Sequence, residues 1–451
     1  MIVLKFGGTS VADAAAIERL VDIVRGRMHA SPVVVVSAFA GTTNALLAVA
    51  EQAAKGHLIG ASGGVRTLRD RHLRATDTLL GDSAGAADVA AEVSTYFDEL
   101  ARLAEAISVF GYVTPRTLDA IAAFGELCSS RIVAAAMQQR GVPGELLDAR
   151  DVVVTNDEFT EAVPQPDVIA ARGREHILPL VQQGKVPVLG GFIGRSRSGL
   201  TTTLGRGGSD YTASLIGAAL HAESIEIWTD VDGMLTADPR VVTDARLIER
   251  IRFDEAAELA SFGAKVLHPN TIAPAVKVGI PVYVLNSERP EGVGTMITFD
   301  APHRPVTAIA GKGAVTVVKV RSARMLLAHG ILRRIFETFE RHEVSVDVVA
   351  TSEVSVSVTV DDDSRLEDVV VELAAIGDVS IERDRGVVAV VGCGLSDGGD
   401  AMGRALLCLR GHRLYMLSLS ATGINLTAVL DGAALADAMR ALHTEFFGGG
   451  S

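Results

Sequence analysis

Short apolar runs that are rich in valine and isoleucine recur through the first 300 residues of the chain. They lie at residues 2–6, 33–37, 186–193, 224–229 and 280–285. Each run is continuous rather than alternating, which is typical of strands buried on both faces of a parallel sheet. Helical patterns at 14–28, 126–140 and 210–220 separate them. The sequence therefore predicts an α/β domain over residues 1–300, with a largely parallel sheet between helices.

The pattern changes after residues 290–305, a segment with three prolines and two glycines that we interpret as a linker. Strand, helix, strand, strand, helix and strand are then predicted at 315–320, 331–342, 345–350, 354–360, 365–375 and 379–383. The same order repeats at 387–391, 401–409, 414–420, 424–430 and 433–443. The repeat lacks its last strand, which the run at 306–310 is predicted to supply. We expect two ferredoxin-like modules, one at 314–385 and one formed by 305–313 plus 386–447.

Composition and charge exclude several classes of protein. The chain has 42 basic and 55 acidic side chains and a formal charge of -13, which argues against nucleic acid as a partner. Cys128, Cys393 and Cys408 are too few and too scattered for a disulfide framework or a zinc site, so we expect a reducing, cytoplasmic compartment. The sequence shows no signal peptide and no run of about 18 uninterrupted apolar residues, so no membrane partner is expected.

The first candidate site is the motif from Lys5 to Ser10, a strand that runs directly into two glycines and two hydroxyl side chains. Glycines let the backbone approach an anion closely, and the amides of the following helix would point at it. Lys5 is costly to bury between Leu4 and Phe6 unless it meets a negative charge. The motif favours a phosphate site, with a tight structural turn as the alternative.

A second glycine loop, at residues 204–210, precedes the helix predicted at 210–220. Arg206 stands between two glycines, where a phosphate or carboxylate would give it a bidentate partner. The alternative is structural, because Ser209 or Asp210 would cap the helix. Glu126 is predicted to begin a helix, where a carboxylate also interacts favourably with the helix dipole.

Seven segments of the chain, taken together and in this order, closely resemble the aspartate kinases of the amino acid kinase fold. The segments are KFGGTSVA, VVVVSAFAGTTNAL, FGEL, TLGRGGSDYTA, WTDVDG, TADPR and FGAKVLHP. The resemblance continues into the tandem ACT modules that this family carries at its C-terminal end. It implies that L-aspartate and ATP react, with Mg²⁺, to give 4-phospho-L-aspartate and ADP at the start of lysine, threonine and methionine synthesis. A carboxylate is already nucleophilic at neutral pH, so this reaction needs no general base.

The resemblance also implies a role for each matching residue. The catalytic residues would be Lys5, Arg206 and Asp210. The aspartate-binding residues would be Ser37, Thr43, Asn44, Glu126 for the ammonium group and Arg206 for the α-carboxylate. The ATP-binding residues would be Lys5, Gly7, Gly8, Thr9, Ser10, Thr229, Asp230, Asp238, Arg240, Lys265 and Val266. Asp210 would organise either Lys5 or the metal, and no residue is assigned as a dedicated metal ligand. Leu235 stands where relatives carry an aromatic side chain.

The first ACT module resembles the effector-binding stretch of lysine-sensitive aspartate kinases. The matching residues are Met325, Gly330, Ile331, Leu332, Ser345, Val346, Asp347, Thr351, Ser352 and Glu353. Lysine is the expected effector, because Asp347 and Glu353 suit a second ammonium group. Threonine is the second choice, since Leu327 and Ala328 leave a less polar wall. The structural alternative to an effector site is a solvated strand end. Because ACT modules usually pair between subunits, we expect a homodimer or a higher homo-oligomer.

Three other readings of the chain stay open at this point. A different amino acid kinase, acting on acetylglutamate, glutamate or carbamate, is disfavoured by the two glycine motifs together with the ACT pair. A catalytically silent amino-acid-binding regulator is disfavoured because Lys5, Glu126, Arg206 and Asp210 are all present. The kinase half of a bifunctional polypeptide is the third alternative.

Overall fold

The computed structural model describes residues 1–83, 85–262, 269–325, 329–396 and 400–448. Its strands are β1 (Ile2–Phe6), β2 (Pro32–Val36), β3 (Gly144–Leu146), β4 (Val154–Thr155), β5 (Val186–Gly190), β6 (Ile193–Ser196), β7 (Thr201–Thr203), β8 (Ser224–Thr229), β9 (Arg250–Ile251), β10 (Val282–Asn286), β11 (Thr295–Ile297), β12 (Ala308–Arg321), β13 (Val349–Ser352), β14 (Ser355–Val360), β15 (Asp378–Val391), β16 (Leu414–Leu419) and β17 (Asn425–Asp431).

The α-helices are α1 (Ala14–Arg27), α2 (Thr42–Ala54), α3 (Leu58–Leu80), α4 (Ala86–Phe110), α5 (Pro115–Gln139), α6 (Pro166–His176), α7 (Leu178–Gln182), α8 (Gly208–Leu220), α9 (Phe253–Ser261), α10 (Pro269–Val278), α11 (Ile331–Arg341), α12 (Leu366–Leu373), α13 (Asp400–Cys408) and α14 (Leu435–Phe447). Short 3-10 helices lie at Thr9–Val11, Met28–Ala30, Ala149–Asp151, Ala323–Met325 and Gly432–Ala434.

The described residues pack as two compact units. The first contains residues 1–234 and 269–300, and the second contains residues 235–262 and 301–448. Residues 235–262 thus fold with the C-terminal part of the chain.

The first unit is built on a largely parallel sheet. Seven of its described strands follow the order β3-β5-β2-β1-β8-β10-β11, and only the β10–β11 pair among them is antiparallel. Strands β1, β2 and β5 are buried along their whole length, as their continuous apolar sequences predict. Helices α1 to α5 contribute to the apolar core with β1 and β2, and α8 packs against β1, β2 and β8. The predicted fold class is confirmed.

Helix α5 is longer than the predicted helix at 126–140, because it begins at Pro115. The Thr114 hydroxyl oxygen accepts a hydrogen bond from the Thr117 amide at 3.2 Å, and proline is suited to the first position of a helix. By length and composition alone α5 could cross a membrane, yet 89% of its most apolar window is buried inside the protein. The helix serves as a core element of the first unit.

The second unit contains a sheet in the order β13-β14-β12-β15-β17-β16, in which neighbouring strands pair antiparallel. The predicted order of strands and helices is observed, but the runs at 306–310 and 315–320 join in β12, and those at 379–383 and 387–391 join in β15. The ladder continues through register shifts between Lys312 and Val317. The predicted strand at 345–350 is wrong in its first part, since β13 begins at Val349.

The carboxyl ends of the parallel strands position the loops that carry the first candidate motifs. Phe6 at the end of β1 lies beside Val36 of β2 and Trp228 of β8. The glycine motif after β1 and the loop before α2 therefore emerge at the same edge of the sheet. Ligands of open α/β sheets bind at this edge.

Candidate active site

A cavity of about 380 Å³ lies in the first unit at the carboxyl edge of the sheet. It brings together residues predicted for catalysis and for aspartate binding, from β1, the β2–α2 loop, α5 and the start of α8. These are Lys5, Gly8, Ser37, Thr43, Asn44, Glu126, Arg206 and Asp210. Residues as far apart in the chain as Lys5 and Asp210 thus share one site.

The buried lysine of β1 has the negative partner that its position requires. Lys5 Nζ lies 2.6 Å from Asp210 Oδ1, and the two side chains are only 10% and 14% exposed. Ion pairing compensates part of the cost of burying both charges. Helix α8 follows Gly207 and has no side-chain cap, so the alternative role of Ser209 or Asp210 as a cap is wrong.

The glycine motif after β1 is held tightly against the neighbouring loops. A Cβ at Gly8 would lie 3.1 Å from the Ala38 carbonyl oxygen, and the Ala40 amide donates to the Gly8 carbonyl at 3.1 Å. Gly8 lines the cavity, and Thr9 is exposed. Ser10 is buried and hydrogen-bonds the Trp228 carbonyl oxygen and the Ser287 hydroxyl. The Gly7 amide donates to the Trp228 carbonyl oxygen at 3.0 Å.

The second glycine loop presents Arg206 on the rim of the cavity. Gly205 and Gly207 have φ angles of 73° and 71°, a conformation that favours glycine. A Cβ at Gly208 would lie 2.6 Å from Phe192 Cδ2, so the first residue of α8 also needs to be small. Arg206 itself is exposed. The backbone conformation and close packing of this loop therefore account for its glycines. The guanidinium of Arg206 is exposed and available to a ligand.

Glu126 contributes a buried carboxyl group to the lining of the cavity. Its Oε1 accepts a hydrogen bond from the Ala38 amide at 3.1 Å, while its Oε2 is buried without a hydrogen-bond partner among the described residues. Burial raises the pKa of Glu126 from 4.5 to about 8. Gly125 and Gly190 allow this approach, since a Cβ at Gly190 would lie 2.9 Å from Glu126 Cβ. Glu126 is in the middle of α5, so the predicted interaction with a helix start is wrong.

Comparison with known proteins assigns the family. A sequence model of the amino acid kinase family matches residues 1–286. Lysine-sensitive aspartokinase 3 of Escherichia coli K12 is 36% identical over 459 residues, which cover 99% of both chains. The chain belongs to the aspartate kinases of the amino acid kinase family. Aspartokinase 1, chloroplastic, of Arabidopsis thaliana is also 36% identical, over 99% of this chain and 80% of its own.

Solved structures agree with this assignment over the full chain. Crystal structures of E. coli aspartokinase III with lysine and aspartate, and with aspartate and ADP, are similar to this kinase with a TM-score of 0.85 at 36% identity. They cover 99% of this chain and 99% and 100% of their own. The protein is an aspartate kinase, an enzyme that transfers a phosphoryl group to a carboxylate.

Asp119 of the kinase supports the site and was missed by sequence reasoning. It is buried on α5, and its carboxylate accepts hydrogen bonds from the Thr160 amide and from the amide and hydroxyl of Thr203, at 2.6 to 3.0 Å. Desolvation raises its pKa, although these hydrogen bonds act in the opposite direction. Asp119 therefore anchors β7 directly before the loop of Arg206. A carboxylate within the apolar pattern of α5 was the available signal.

Helix α3 of the kinase supports the loop after β2 from outside the cavity. The Arg71 guanidinium donates to the carbonyl oxygens of Ala40 and Ala12 at 2.7 and 2.9 Å. The His72 ring stacks on cavity-lining Phe39 with centroids 4.6 Å apart. Burial lowers the pKa of His72 to about 4, so its ring is neutral at physiological pH. Neither Arg71 nor His72 belongs to a recognisable sequence motif, so the sequence did not predict their roles.

The predicted nucleotide residues lie in different parts of the kinase. Thr229 ends β8, and its hydroxyl donates to Asp230 Oδ1 at 3.2 Å. Asp238 and Arg240 belong to the second unit, where their side chains form an ion pair of 2.6 Å. Leu235 forms an antiparallel bridge with Leu247 in the same unit. Lys265 and Val266 lie outside the described residues.

The predicted effector residues of the kinase lie in the second unit, in the 3-10 helix before α11, at the start of α11, and before and within the β13–β14 hairpin. Gly330 precedes α11 with a φ of 82°, followed by Ile331 and an exposed Leu332. The Ser322 amide donates to the Val354 carbonyl oxygen at 2.9 Å, which joins the Met325 turn to the β13–β14 hairpin. Exposed positions among the predicted residues are Ser345, Asp347, Thr351, Ser352 and Glu353, whereas Val346 is half-buried. Leu327 and Ala328 lie outside the described residues.

Asp347 already has a cationic partner in the second unit. Its Oδ2 lies 3.1 Å from Lys312 Nζ, which also pairs with Asp361. Desolvation raises the pKa of Asp347, and Lys312 acts in the opposite direction. An effector ammonium at Asp347 would therefore share the carboxylate with Lys312 or displace it.

Proposed function

We propose that the kinase transfers the γ-phosphoryl group of ATP to the 4-carboxylate of L-aspartate, as the first step towards lysine, threonine and methionine. An oxygen of that carboxylate attacks the γ-phosphorus, and the bond from the γ-phosphorus to the bridging oxygen breaks. The electron pair of that bond leaves with ADP. The observation that carries this proposal is the shared cavity of Lys5, Asp210, Glu126 and Arg206.

Lys5 is proposed to stabilise the charge on the transferred phosphoryl group. Its ammonium group lies in the cavity, held by Asp210 at 2.6 Å and mostly shielded from water. A fixed cation in a site of low dielectric stabilises developing negative charge without reorganisation in the transition state. Asp210 is therefore proposed as the group that orients Lys5.

The aspartate end of the cavity is proposed to have two charged poles. The unpartnered Oε2 of Glu126 would accept the substrate ammonium, and exposed Arg206 would bind the α-carboxylate with its planar guanidinium. Ser37, Thr43 and Asn44 line the same cavity and offer hydrogen-bonding side chains. Two opposite poles select an amino acid over a simple acid.

The residues present fit a magnesium ion shared with the nucleotide. In the part of the chain that the structure describes, no group of three or more His, Cys, Asp or Glu side chains is placed to hold a metal. Mg²⁺ is commonly held by one or two carboxylates together with substrate phosphates, and Asp210 is the carboxylate that would hold it here. Bound there, Mg²⁺ would neutralise charge on the phosphate oxygens.

The nucleotide is proposed to contact the remaining predicted residues. Gly7, Gly8, Thr9 and Ser10 would follow the phosphates, because Gly8 and Lys5 line the same cavity. Residues proposed for the rest of the nucleotide are Thr229, Asp230, Asp238, Arg240, Lys265 and Val266. The bound ADP in the E. coli aspartokinase III structure supports ATP as the donor.

Feedback inhibition by lysine is proposed to act through the first ACT module, at residues 314–385. Asp347 and Glu353 would bind the ammonium groups of lysine, with threonine as the second candidate effector. The similarity to lysine-sensitive aspartokinase 3 supports lysine. The position of β13 at the edge of the sheet supports a homodimer, because edge strands suit pairing with a second copy. The three unpaired cysteines fit a cytoplasmic enzyme.

An ADP-release assay with a panel of acceptors tests the proposed reaction. L-Aspartate should support ADP release with Mg-ATP, whereas L-glutamate, acetylglutamate and carbamate should not. Addition of lysine should slow the reaction, and threonine and methionine serve as comparisons. Release that is independent of aspartate, or faster with another acceptor, would contradict the proposal.

A further inference from the structure

The segment at residues 235–247 carries two proposed nucleotide contacts, Asp238 and Arg240, and packs within the second unit. The Asp238 side chain accepts from the Arg240 amide at 2.9 Å, and the Asp238 carbonyl oxygen accepts from the amides of Val241 and Val242. These bonds form a compact turn that fixes Arg240 relative to Asp238. Contacts that hold this turn in place should therefore affect nucleotide binding.

Thr236 connects the turn to the C-terminal helix α14. Its hydroxyl lies 2.9 Å from Nε2 of His443, and the same oxygen accepts from the Arg246 amide at 2.9 Å. The Thr236 amide donates to the Arg246 carbonyl oxygen, which closes the segment into a loop. Thr236 is 6% exposed and His443 is fully buried, so the contact is shielded from water. A buried hydrogen bond is costly to leave unmade.

Further contacts join the same segment to α14. The Arg246 guanidinium donates to the Phe447 carbonyl oxygen at 2.8 Å, and that of Arg440 donates to the Val241 carbonyl oxygen at 3.4 Å. Apolar packing continues the contact, since Ala237 and Val242 belong to one buried cluster with residues of α14. The α14 members of this cluster are Ala438, Met439 and Leu442. Residues from both ends and the middle of the 235–247 segment thus contact α14.

We propose that His443 is a positioning residue for nucleotide binding, acting through Thr236 on the turn of Asp238 and Arg240. This inference rests on the proposed nucleotide role of those two residues. The catalytic cavity described above contains neither His443 nor Thr236. Loss of the Thr236–His443 bond should therefore weaken ATP binding and leave aspartate binding intact.

Steady-state kinetics of full-length variants tests the inference. Thr236→Val and His443→Leu should each raise the KM for ATP about fivefold, the usual effect of one buried hydrogen bond, with the KM for aspartate within about twofold. The double variant should be no worse than Thr236→Val alone, because His443→Leu removes only a bond that Thr236→Val has already removed, whereas Thr236→Val also takes the acceptor of the Arg246 amide. His443→Gln should restore most of the ATP affinity, since its amide reaches towards the Nε2 position.

Thr338→Val is the matched control, because Thr338 is a buried threonine of the second unit whose hydroxyl donates to the Arg334 carbonyl oxygen of α11 and to the Glu372 carboxylate of α12. It should leave both KM values unchanged. The inference is overturned if the Thr236→Val and His443→Leu proteins keep the wild-type KM for ATP, or if both KM values rise equally. Arg240→Ala separates the proposed nucleotide contact of Arg240 from the proposed positioning role of His443. A normal KM for ATP in that variant would refute the proposed nucleotide contact itself.

Discussion

The buried carboxyl group of Glu126 is expected to destabilise the kinase at neutral pH. Burial raises the pKa of Glu126 from 4.5 to about 8, so the folded state takes up a proton that the unfolded state has released. This difference in pKa corresponds to a loss of roughly 3 kcal/mol of folding free energy at pH 7 and roughly 1 kcal/mol at pH 5. Glu126→Gln keeps the shape and removes the titration. The variant should therefore be more stable than the wild type by about these amounts.

The dependence on pH has a defined direction. Below pH 4.5 the carboxyl group is protonated in both states, and the stabilising effect of Glu126→Gln should vanish. The effect should grow as the pH rises and level off above about pH 8, where the folded state also loses its proton. The same variant should raise the KM for aspartate about tenfold or more, because an ammonium group bound beside Glu126 favours the ionised carboxylate, and a glutamine cannot supply that charge.

Urea unfolding monitored by tryptophan fluorescence measures this effect. Trp228 is the only tryptophan of the chain, and it is buried in the first unit beside β1. Glu158→Gln is a matched control, because Glu158 is exposed in the same unit and its replacement should change little at either pH. A Glu126→Gln protein that is no more stable than the wild type at pH 7, or whose advantage is the same at pH 5, would refute the reasoning.

Three further predictions concern the cavity and the effector site. Arg206→Ala should raise the KM for aspartate about tenfold or more with a smaller change in kcat; an unchanged KM in steady-state assays would contradict its role. Asp119→Asn should lower the melting temperature and raise the KM for aspartate, since fewer acceptors hold Thr160 and Thr203. Asp347→Ala should abolish lysine inhibition, and Lys312→Met should lower the inhibitory lysine concentration about threefold; full inhibition of Asp347→Ala would show that the site is elsewhere.

The sequence predicted most of the fold because its strands are buried and continuous. Runs such as 2–6 became central parallel strands, and the order of elements in the second half is that of the repeat. The joining of two runs into β12 was not predictable, because the register shifts around Val315 depend on pairing with β15 rather than on local pattern. The start of α5 at Pro115 was missed because the sequence pattern was assigned as helix only from Glu126.

The candidate site was predictable where chemistry is concentrated in a motif. Lys5 stands two residues before Gly7, Arg206 stands between two glycines, and both line the cavity. The carboxylate of Asp119 stands out in an apolar pattern, but its role was not predictable, because its partners Thr160 and Thr203 lie 41 and 84 residues away. His72 was missed for the same reason, since its contact with Phe39 exists only after α3 packs against the loop.

Direct aspartate binding, measured beside turnover in two variants, tests the central claim that this cavity separates substrate binding from charge stabilisation. Calorimetric titration with L-aspartate should show near wild-type affinity for Lys5→Met, while ADP release falls by about 10²-fold or more. Glu126→Gln should show the reverse, with weak aspartate binding and a kcat close to that of the wild type at saturating aspartate. If both variants lose aspartate affinity equally, or if Lys5→Met keeps its turnover, the proposed division of roles in the cavity is contradicted.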